Sequence, residues 1–512
     1  MNYFLTLKAA LSFIEANLCS DLDADTVAGM AGFSPSHFHM VFRTAIGMPP
    51  AAYIRTRRLM HAAKDIAETG SRVADVAFRY GFESHETFTR AFARQFRLTP
   101  SAFRQANKSF LIPRISPGIF GPTLQYKEDP MNQIQQGIER FEDGAVLHGV
   151  PKVSYFGDPP ELTPYIASLK TAMQTIGVTD TPYAHYHCVA GSAFRLMWNT
   201  ACWDGGNIDI LVMDENPVTP LVRAVRAAGR DCRMLFKPTV NETHLQGRFK
   251  PGDGVEYGGK EEFIALIREQ IGRGNPVVAF GVMGPPEACV VTGYRENGEV
   301  LTGWNFFQDM PDMVGPVEKT EEGYFLRRGW FEDRETIGLL AIGECTGIAP
   351  LRETVCEALE NAARVMSPRQ VGTLAGGLDA FDAWEAALLN KAEFPDHAPI
   401  PLLFERLMCQ QDANTMVAEG RSYTKGWLEY MAGQLPEAAE PMRKAAKLFD
   451  QAHATVWEMW DLMGGLGMGE KQALAMGNEE TRQKLAERIR KLKQYDSQAI
   501  PLLREAAELL RN

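Results

Sequence analysis

Apolar positions in the first hundred residues recur at helical spacing. Phe4, Leu7, Leu11, Ile14 and Leu18 mark one amphipathic helix over residues 1–18. Further on, Phe88, Phe92 and Phe96 repeat every fourth residue and leave His85, Glu86, Arg90 and Arg94 on the opposite face. Gly81 permits a tight turn before this helix, and Ser84 supplies its N-cap. The same plan occurs 49 positions earlier, where Gly32-Phe33 precedes a cap, a short helix and Gly47-Met48-Pro49. Short helices over residues 25–31 and 73–79 lead into the two turns, and residues 52–63 read as a continuous linker helix. One aromatic face for a core and one basic-polar face for solvent is the form of a DNA recognition helix. An ordinary amphipathic helix carries the same pattern. Two helix-turn-helix units on a rigid connecting helix would meet successive major-groove segments on one face of B-DNA.

The pieces Ala28-x-x-Ala31-Gly32-Phe33-Ser34, Phe42-Arg43, Tyr53-Ile54-x-x-x-Arg57 and Ala77-x-x-Tyr80-Gly81-Phe82 stand in order before Phe92 through Pro100 and Phe103-Arg104. In these motifs, residues 5–105 resemble the DNA-binding domain of AraC-type transcriptional regulators. The resemblance implies base reading by Ser36, His39 and Met40 in the first unit and by His85, Glu86 and Arg90 in the second. Met40 departs from the polar residue usual there, which implies a first half that leans on shape and apolar contact. Arg43, Arg55, Arg57, Arg58, Arg94, Arg97 and Arg104 are the candidates for phosphate contact. Any one of them is equally well explained as a solvated surface charge.

After residue 107 the pattern changes. Pro113, Pro117, Gly118, Gly121, Pro122 and Pro130 exclude long elements and make residues 108–135 a linker. Residues 136–347 read as helices followed by a run of strands: 277–282, 288–294, 300–307, 324–326 and 337–342. Glu296-Asn297-Gly298-Glu299 forms a hairpin turn between two of them. That is an α+β domain, preceded by an all-α region. Residues 348–512 read as all helical, with a break near Arg421 in a helix over 400–433 and two final helices over 479–493 and 497–510. These helices either cap the central domain or form a dimer face.

The central region carries Gly191-Ser192-Ala193-Phe194-Arg195, Gly274-Asn275-Pro276-Val277-Val278, Val291-Thr292-Gly293-Tyr294 and Gly303-Trp304-Asn305. In these it resembles papain-like folds of the C39 type and the domain of butirosin-biosynthesis acyltransferases. The resemblance implies a Cys opening the first long helix and a His before the Gly-Tyr turn, the pair that thiolate chemistry needs. Here that helix opens Pro160-Glu161-Leu162-Thr163-Pro164 without Cys, and the His place holds Glu287, Ala288 or Cys289. Only Asn305 is kept. The expectation is a catalytically inactive relative retained for binding.

Trp198, Trp203, Trp304, Phe307 and Trp330, with Glu287 and Asn305, are the candidates for a ligand pocket suited to an aromatic or cationic molecule. The competing reading makes them core. His185-x-His187 beside Cys188 could bind metal on one face of a strand, but no second ligand cluster accompanies it.

Composition adds a few constraints. The 512 residues include 8 Cys with no CxxC, which reads as reduced thiols and not as a disulfide frame or zinc site. No apolar run is long enough to span a membrane, and no signal peptide is seen, so the expected location is cytoplasmic. Net charge is −11 but uneven: residues 1–110 hold 13 Lys/Arg against 9 Asp/Glu, and the remainder 40 against 55. A basic module on an acidic body attracts phosphate and limits nonspecific adhesion.

The expected function is therefore sequence-specific regulation of transcription, activation through RNA polymerase included, on double-stranded DNA. A small-molecule effector would act through the C-terminal part. No cofactor is expected, homodimerisation is left open, and an enzyme or protein-interaction module fused to the DNA-binding part is the alternative.

Overall fold

The computed structural model describes residues 10–11, 13–20, 22–31, 38, 42, 50–82, 84–96, 98–106, 137–155, 159–204, 210–240, 255–310, 314–333 and 335–511. They fall into two compact units, the first within residues 1–125 and 157–160, the second within 126–156 and 161–512.

The first unit is helical. Helix α1 (Ala24–Met30) starts at Asp23, whose carboxylate accepts the Thr26 amide at 2.7 Å. Helix α2 (Pro50–Glu68) runs through the middle, followed by α3 (Val73–Arg79), α4 (His85–Phe96) and α5 (Pro100–Ala106). Leu59, Ala62, Ala63 and Ile66 of α2 meet Val76 and Ala77 of α3, Phe88 and Phe92 of α4 and Phe103 of α5 in one buried cluster. The aromatic rings meet tilted or edge-on, with Phe88–Phe92 centroids at 5.4 Å and Phe92–Phe103 at 5.3 Å, as the quadrupoles of aromatic rings favour. A second cluster joins Phe38, Phe42 and Tyr53, with centroids 5.2 and 5.4 Å apart.

The second unit is built on a mostly antiparallel sheet. Its strands are β1 (Gly137–Arg140), β2 (Ala145–His148), β4 (Arg230–Phe236), β5 (Val255–Tyr257), β6 (Val277–Phe280), β7 (Ala288–Arg295), β8 (Val300–Trp304), β9 (Phe325–Arg328) and β10 (Gly338–Cys345). The order is β1-β2-β7-β6-β10-β4-β5, with β8 and β9 extending from β7. Strand β7 shares one edge between β6 and β2 and gives the other to β8. Only β4 and β5 run parallel. The β7–β8 turn has Glu296, Asn297 and Gly298 at positive φ, the geometry expected of the Asn-Gly turn. Helices α6 (Pro164–Thr175), α7 (Tyr183–Ala190), α8 (Val218–Ala227) and α9 (Lys260–Arg273) are interspersed with the strands.

Four features of the later chain differ from the sequence expectation. The region after 347 is not all helical: β11 (Arg369–Val371) and β12 (Leu374–Gly376) pair with β3 (Met197–Asn199), Ala375 facing Trp198. Three-residue strands are too short to show a period. The same ladder carries residues from both sides of 347 into one unit, so no gap in packing separates an α+β domain from a helical one.

Helix α12 (Ile400–Gln434) is continuous through Arg421, the expected break. Many polar residues in its middle are buried and satisfied by neighbours, with Arg421 on the Asp496 carboxylate at 2.5 Å and Gln410 on the Trp384 indole at 2.8 Å. A helix whose middle is buried on most of its circumference shows no clear stripe. The two expected terminal helices are one, α15 (Glu479–Arg511), which continues through Pro501. Helices α10 (Leu351–Met366), α11 (Leu378–Leu389), α13 (Ala439–Leu462) and α14 (Glu470–Gly477) complete the unit.

Gly420 of α12 shows why close packing is possible. A Cβ there would lie 2.1 Å from the Ala193 carbonyl oxygen, so only glycine lets α12 meet the short 3-10 turn at Ser192–Phe194. Beside it the Glu419 carboxylate is buried and accepts from the Leu162 amide (2.7 Å), the Thr163 hydroxyl (3.0 Å) and the Tyr183 hydroxyl (2.6 Å). A carboxylate from the C-terminal helices thus caps the chain where α6 begins.

Candidate nucleic-acid interface

Helix α4 is fixed from three directions. Gly81 takes φ +75, and the turn closes through Gly81 N–H to the Phe78 carbonyl at 3.0 Å and Phe82 N–H to that of Ala77 at 3.1 Å. A Cβ at Gly81 would also stand 3.1 Å from the Arg58 guanidinium. Ser84 Oγ accepts the Thr87 amide at 3.1 Å, satisfying an otherwise unpaired donor of the first turn. Phe88 and Phe92 then anchor the inner face with no exposure.

With the inner face buried, His85, Glu86, Thr87 and Arg90 are all exposed on the outer one. The Glu86 carboxyl is held below its usual range, first by its own backbone amide and then by Ser84. The exposed face therefore presents, within two turns, an imidazole, a carboxylate, a hydroxyl and a guanidinium. Such groups can donate to or accept from base edges in a major groove.

Of the other expected DNA contacts, Arg55 is exposed. Three arginines are spent inside the unit. Arg57 is 3% exposed, with Nε and Nη2 on the Glu15 carboxylate at 2.5 and 2.8 Å. Arg58 donates to the carbonyls of Leu18 at 2.9 Å and Ser20 at 2.8 Å. Arg104 donates to those of Ile66 at 2.9 Å and Ser71 at 2.5 Å, tying α5 to the end of α2. These guanidiniums are engaged by backbone and carboxylate oxygens of their own unit, Arg57 buried and Arg58 and Arg104 half-buried. Their single-sequence signal equals that of a surface arginine, because the partners lie 33 to 42 residues away. Ser36, His39, Met40, Arg43, Arg97 and the side chain of Arg94 lie outside the described residues.

The seven residues expected to line one ligand pocket lie in three places. Trp198 and Trp203 flank a cleft of about 260 Å³ with Asn199, Cys202 and Glu393. Arg406 already covers the Trp203 ring at 4.8 Å, so that face does not await a cation. Glu287, Trp304, Asn305 and Phe307 are buried around the 281–287 turn. Here Asn305 accepts the Phe307 amide at 2.7 Å, and the Trp304 indole donates to the Val150 carbonyl at 3.3 Å. Trp330 is core, its indole on the Gly298 carbonyl at 2.8 Å.

His185 and His187 fall on helix α7, not on a strand, so two-residue spacing points them apart. His185 accepts from the Trp427 indole at 3.2 Å, and His187 meets the Ser192 hydroxyl at 2.7 Å. Burial pushes both imidazoles down, His185 to about 4. Cys188 is buried, and its Sγ lies 3.9 Å from the Thr424 hydroxyl. Cys202 is exposed beside Asn199 and Asp204, at 3.3 and 3.6 Å. Burial, then Asp204, raises its thiol, the reverse of what a thiolate nucleophile needs. Among the described residues, no group of three His, Cys, Asp or Glu is arranged to hold a metal, and no helix is long and apolar enough to cross a membrane.

Comparison with known proteins bears on the first unit. A helix-turn-helix domain family matches residues 27–106. The chain is 36% identical over 110 residues to the uncharacterized HTH-type transcriptional regulator YbfP of Bacillus subtilis (strain 168), covering 22% of this chain and 37% of that protein. It is 36% identical over 104 residues to the HTH-type transcriptional activator AarP of Providencia stuartii, covering 20% of this chain and 77% of AarP. It is 38% identical over 100 residues to the right origin-binding protein of Escherichia coli (strain K12), covering 20% of this chain and 35% of that protein. The alignment thus spans most of AarP but little more than a third of the other two. With 36% identity over 77% of AarP and the family match at residues 27–106, the chain belongs to the AraC family of helix-turn-helix DNA-binding regulators.

Proposed function

We propose that the protein is a sequence-specific transcriptional regulator whose α4 enters a major groove and reads bases with His85, Glu86 and Arg90. The first helix-turn-helix contributes Ser36, His39 and Met40 in the adjacent groove segment, and Arg43, Arg55, Arg94 and Arg97 contact phosphates. The observation that carries this reading is the division of α4: Phe88 and Phe92 are sealed in the core while the three polar side chains stand in solvent on the first two turns, the first of them capped. The second unit is a binding module that responds to a small molecule, and the sign of regulation is activation through RNA polymerase. Effector control requires only that the ligand favour one of two states of the protein.

The C39/butirosin-like reading of the second unit, as a fold without its catalytic pair, is supported by the predominantly antiparallel sheet and by the absence of Cys from α6. The enzyme alternative required Cys188 or Cys202 within reach of a His in a cleft. Cys188 lies against a threonine and Cys202 against an asparagine and an aspartate, which favours the binding role.

The test is a titration of the full chain on the duplex upstream of its own gene, at fixed salt, against a shuffled duplex of equal length. Nanomolar binding to the first, weakened about ten- to hundredfold by Arg90→Ala, is expected for one bidentate base contact. Equal affinity for both duplexes across the salt range would overturn the reading.

A further inference from the structure

A cleft of about 560 Å³ lies in the second unit, between the end of α10, β11, the loop at Asp214 and Glu215, and Arg504 of α15. Its walls carry three guanidiniums, from Arg364, Arg369 and Arg504. Two wall carboxylates are already engaged: Asp214 by Arg364, and Glu360 by Arg511. The third, Glu215, is exposed at the rim.

Arg369 and Arg504 have no carboxylate within 4 Å among the described residues. Arg369 Nε donates to the Val365 carbonyl at 3.1 Å, and its Nη2 meets the Met197 sulfur at 3.4 Å, a weak acceptor. Arg504 donates to the Ser367 hydroxyl at 3.1 Å. Burial, and then the positive charge of Arg364, push the Arg369 guanidinium down to about 10. Asp214 and Glu215 oppose this from a distance, but no carboxylate touches the half-buried fork, which leaves it free to take a ligand anion. The planar fork of arginine matches carboxylate and phosphate oxygens bidentately, and the volume is within the range of metabolite sites.

We propose that this cleft binds a small organic anion bearing two negative charges, a phosphomonoester or a dicarboxylate, held by Arg369 and Arg504 with Arg364 released in part from Asp214. This rests on the reading of the second unit as a small-molecule binding module, and it gives that molecule a charge opposite to the one the tryptophans suggest.

The test is calorimetric titration of the full chain, without DNA, with inorganic phosphate, glycerol phosphate and succinate at constant ionic strength, chloride serving as control. Saturable binding of one of these anions is expected, weakened at least about tenfold by Arg504→Gln, whose side chain is at the surface. Arg369→Lys keeps the charge but loses the fork, and should weaken binding similarly while thermal unfolding stays near that of the native chain. A phosphomonoester-only or dicarboxylate-only response identifies the source. Binding by none of the three, or binding that both variants leave unchanged, overturns the proposal. DNA affinity measured in parallel separates the two readings: specific DNA binding without any anion binding defeats the cleft and leaves the regulator standing.

Discussion

Arg57 gives the sharpest test, because its two readings predict opposite results. On the surface it would be a phosphate contact; in the structure it is buried on Glu15. Replacing it by Met keeps the stem and removes the fork. The magnitude follows from Glu15. Burial, the largest influence, pushes this carboxyl up, but hydrogen bonds from His61 and Arg57 outweigh it and hold the group at about 2 against the usual 4.5. At about 1.4 kcal/mol per unit that is roughly 3 kcal/mol. His61 shares in that shift and remains in the variant, and solvent at a side chain still 31% exposed reduces the rest, so the loss of Arg57 costs about 1 kcal/mol. For a unit of this size the midpoint of unfolding should fall by about 4–8 °C.

The sign in pH is fixed by the same shift. A carboxyl whose folded value is depressed adds stability that is full above 4.5 and lost as pH falls towards 2. Arg57→Met should flatten that limb in part, the His61 bond keeping the rest. Hydrogen exchange of peptides from residues 50–68 reports the loss of stability. The salt dependence of DNA binding, measured where the variant is folded, should keep its slope. A loss of about 0.9 in that slope with unchanged exchange would refute the argument and restore Arg57 as a phosphate contact.

Other outcomes follow from features of both units. Gly81→Ala forces a side chain into φ +75 against Arg58 and should cost about 1–2 kcal/mol in the first unit, read by the same exchange experiment. Asp496→Asn leaves the Arg421 guanidinium buried without its counter-charge and should destabilise the second unit by about 3–5 kcal/mol in chemical denaturation, whereas Arg421→Met with Asp496→Leu should cost clearly less. His148 lies between Glu322 at 2.6 Å and Glu139 at 2.9 Å; the Glu322 bond, ahead of the others, raises its pKa. The stability this adds is full below the usual imidazole value and disappears as pH rises through the raised one. At its exposure it amounts to under about 1 kcal/mol, and His148→Gln should abolish the pH dependence of the second unit's melting across that window.

The first unit was largely legible in the chain, because local rules govern it. The phenylalanine stripe, the Ser84 cap and the Gly81 turn act within a few residues, and the structure repeats them. The roles of Arg57, Arg58 and Arg104 were not legible, since a buried arginine and a surface arginine are the same letter until a distant partner is placed beside it. In the second unit the Asn297-Gly298 turn could be read for the same local reason. The helix over 400–433 could also be read, but not its continuity through Arg421, because the carboxylate of Asp496 that holds this arginine lies 75 residues away. The aromatic residues misled most: tryptophans scattered over more than a hundred positions were grouped by chemistry, while packing put Trp330 and Trp304 in core positions. The arginine cleft had no sequence signal at all, as Asp214, Arg369 and Arg504 come from three separate segments.

The ladder joining β3 to β12, and the Arg352 guanidinium bonded to the Leu510 carbonyl at 2.6 Å, set an order of events on the ribosome. The segment that matches the helix-turn-helix family has all emerged once residue 106 is out. The second unit cannot close until α15 has followed, about four hundred residues later. At ordinary rates of synthesis that interval is roughly 20–80 s. During it the nascent chain carries the whole of that segment attached to an unfinished partner, and any restraint the second unit exerts begins only when translation of α15 ends.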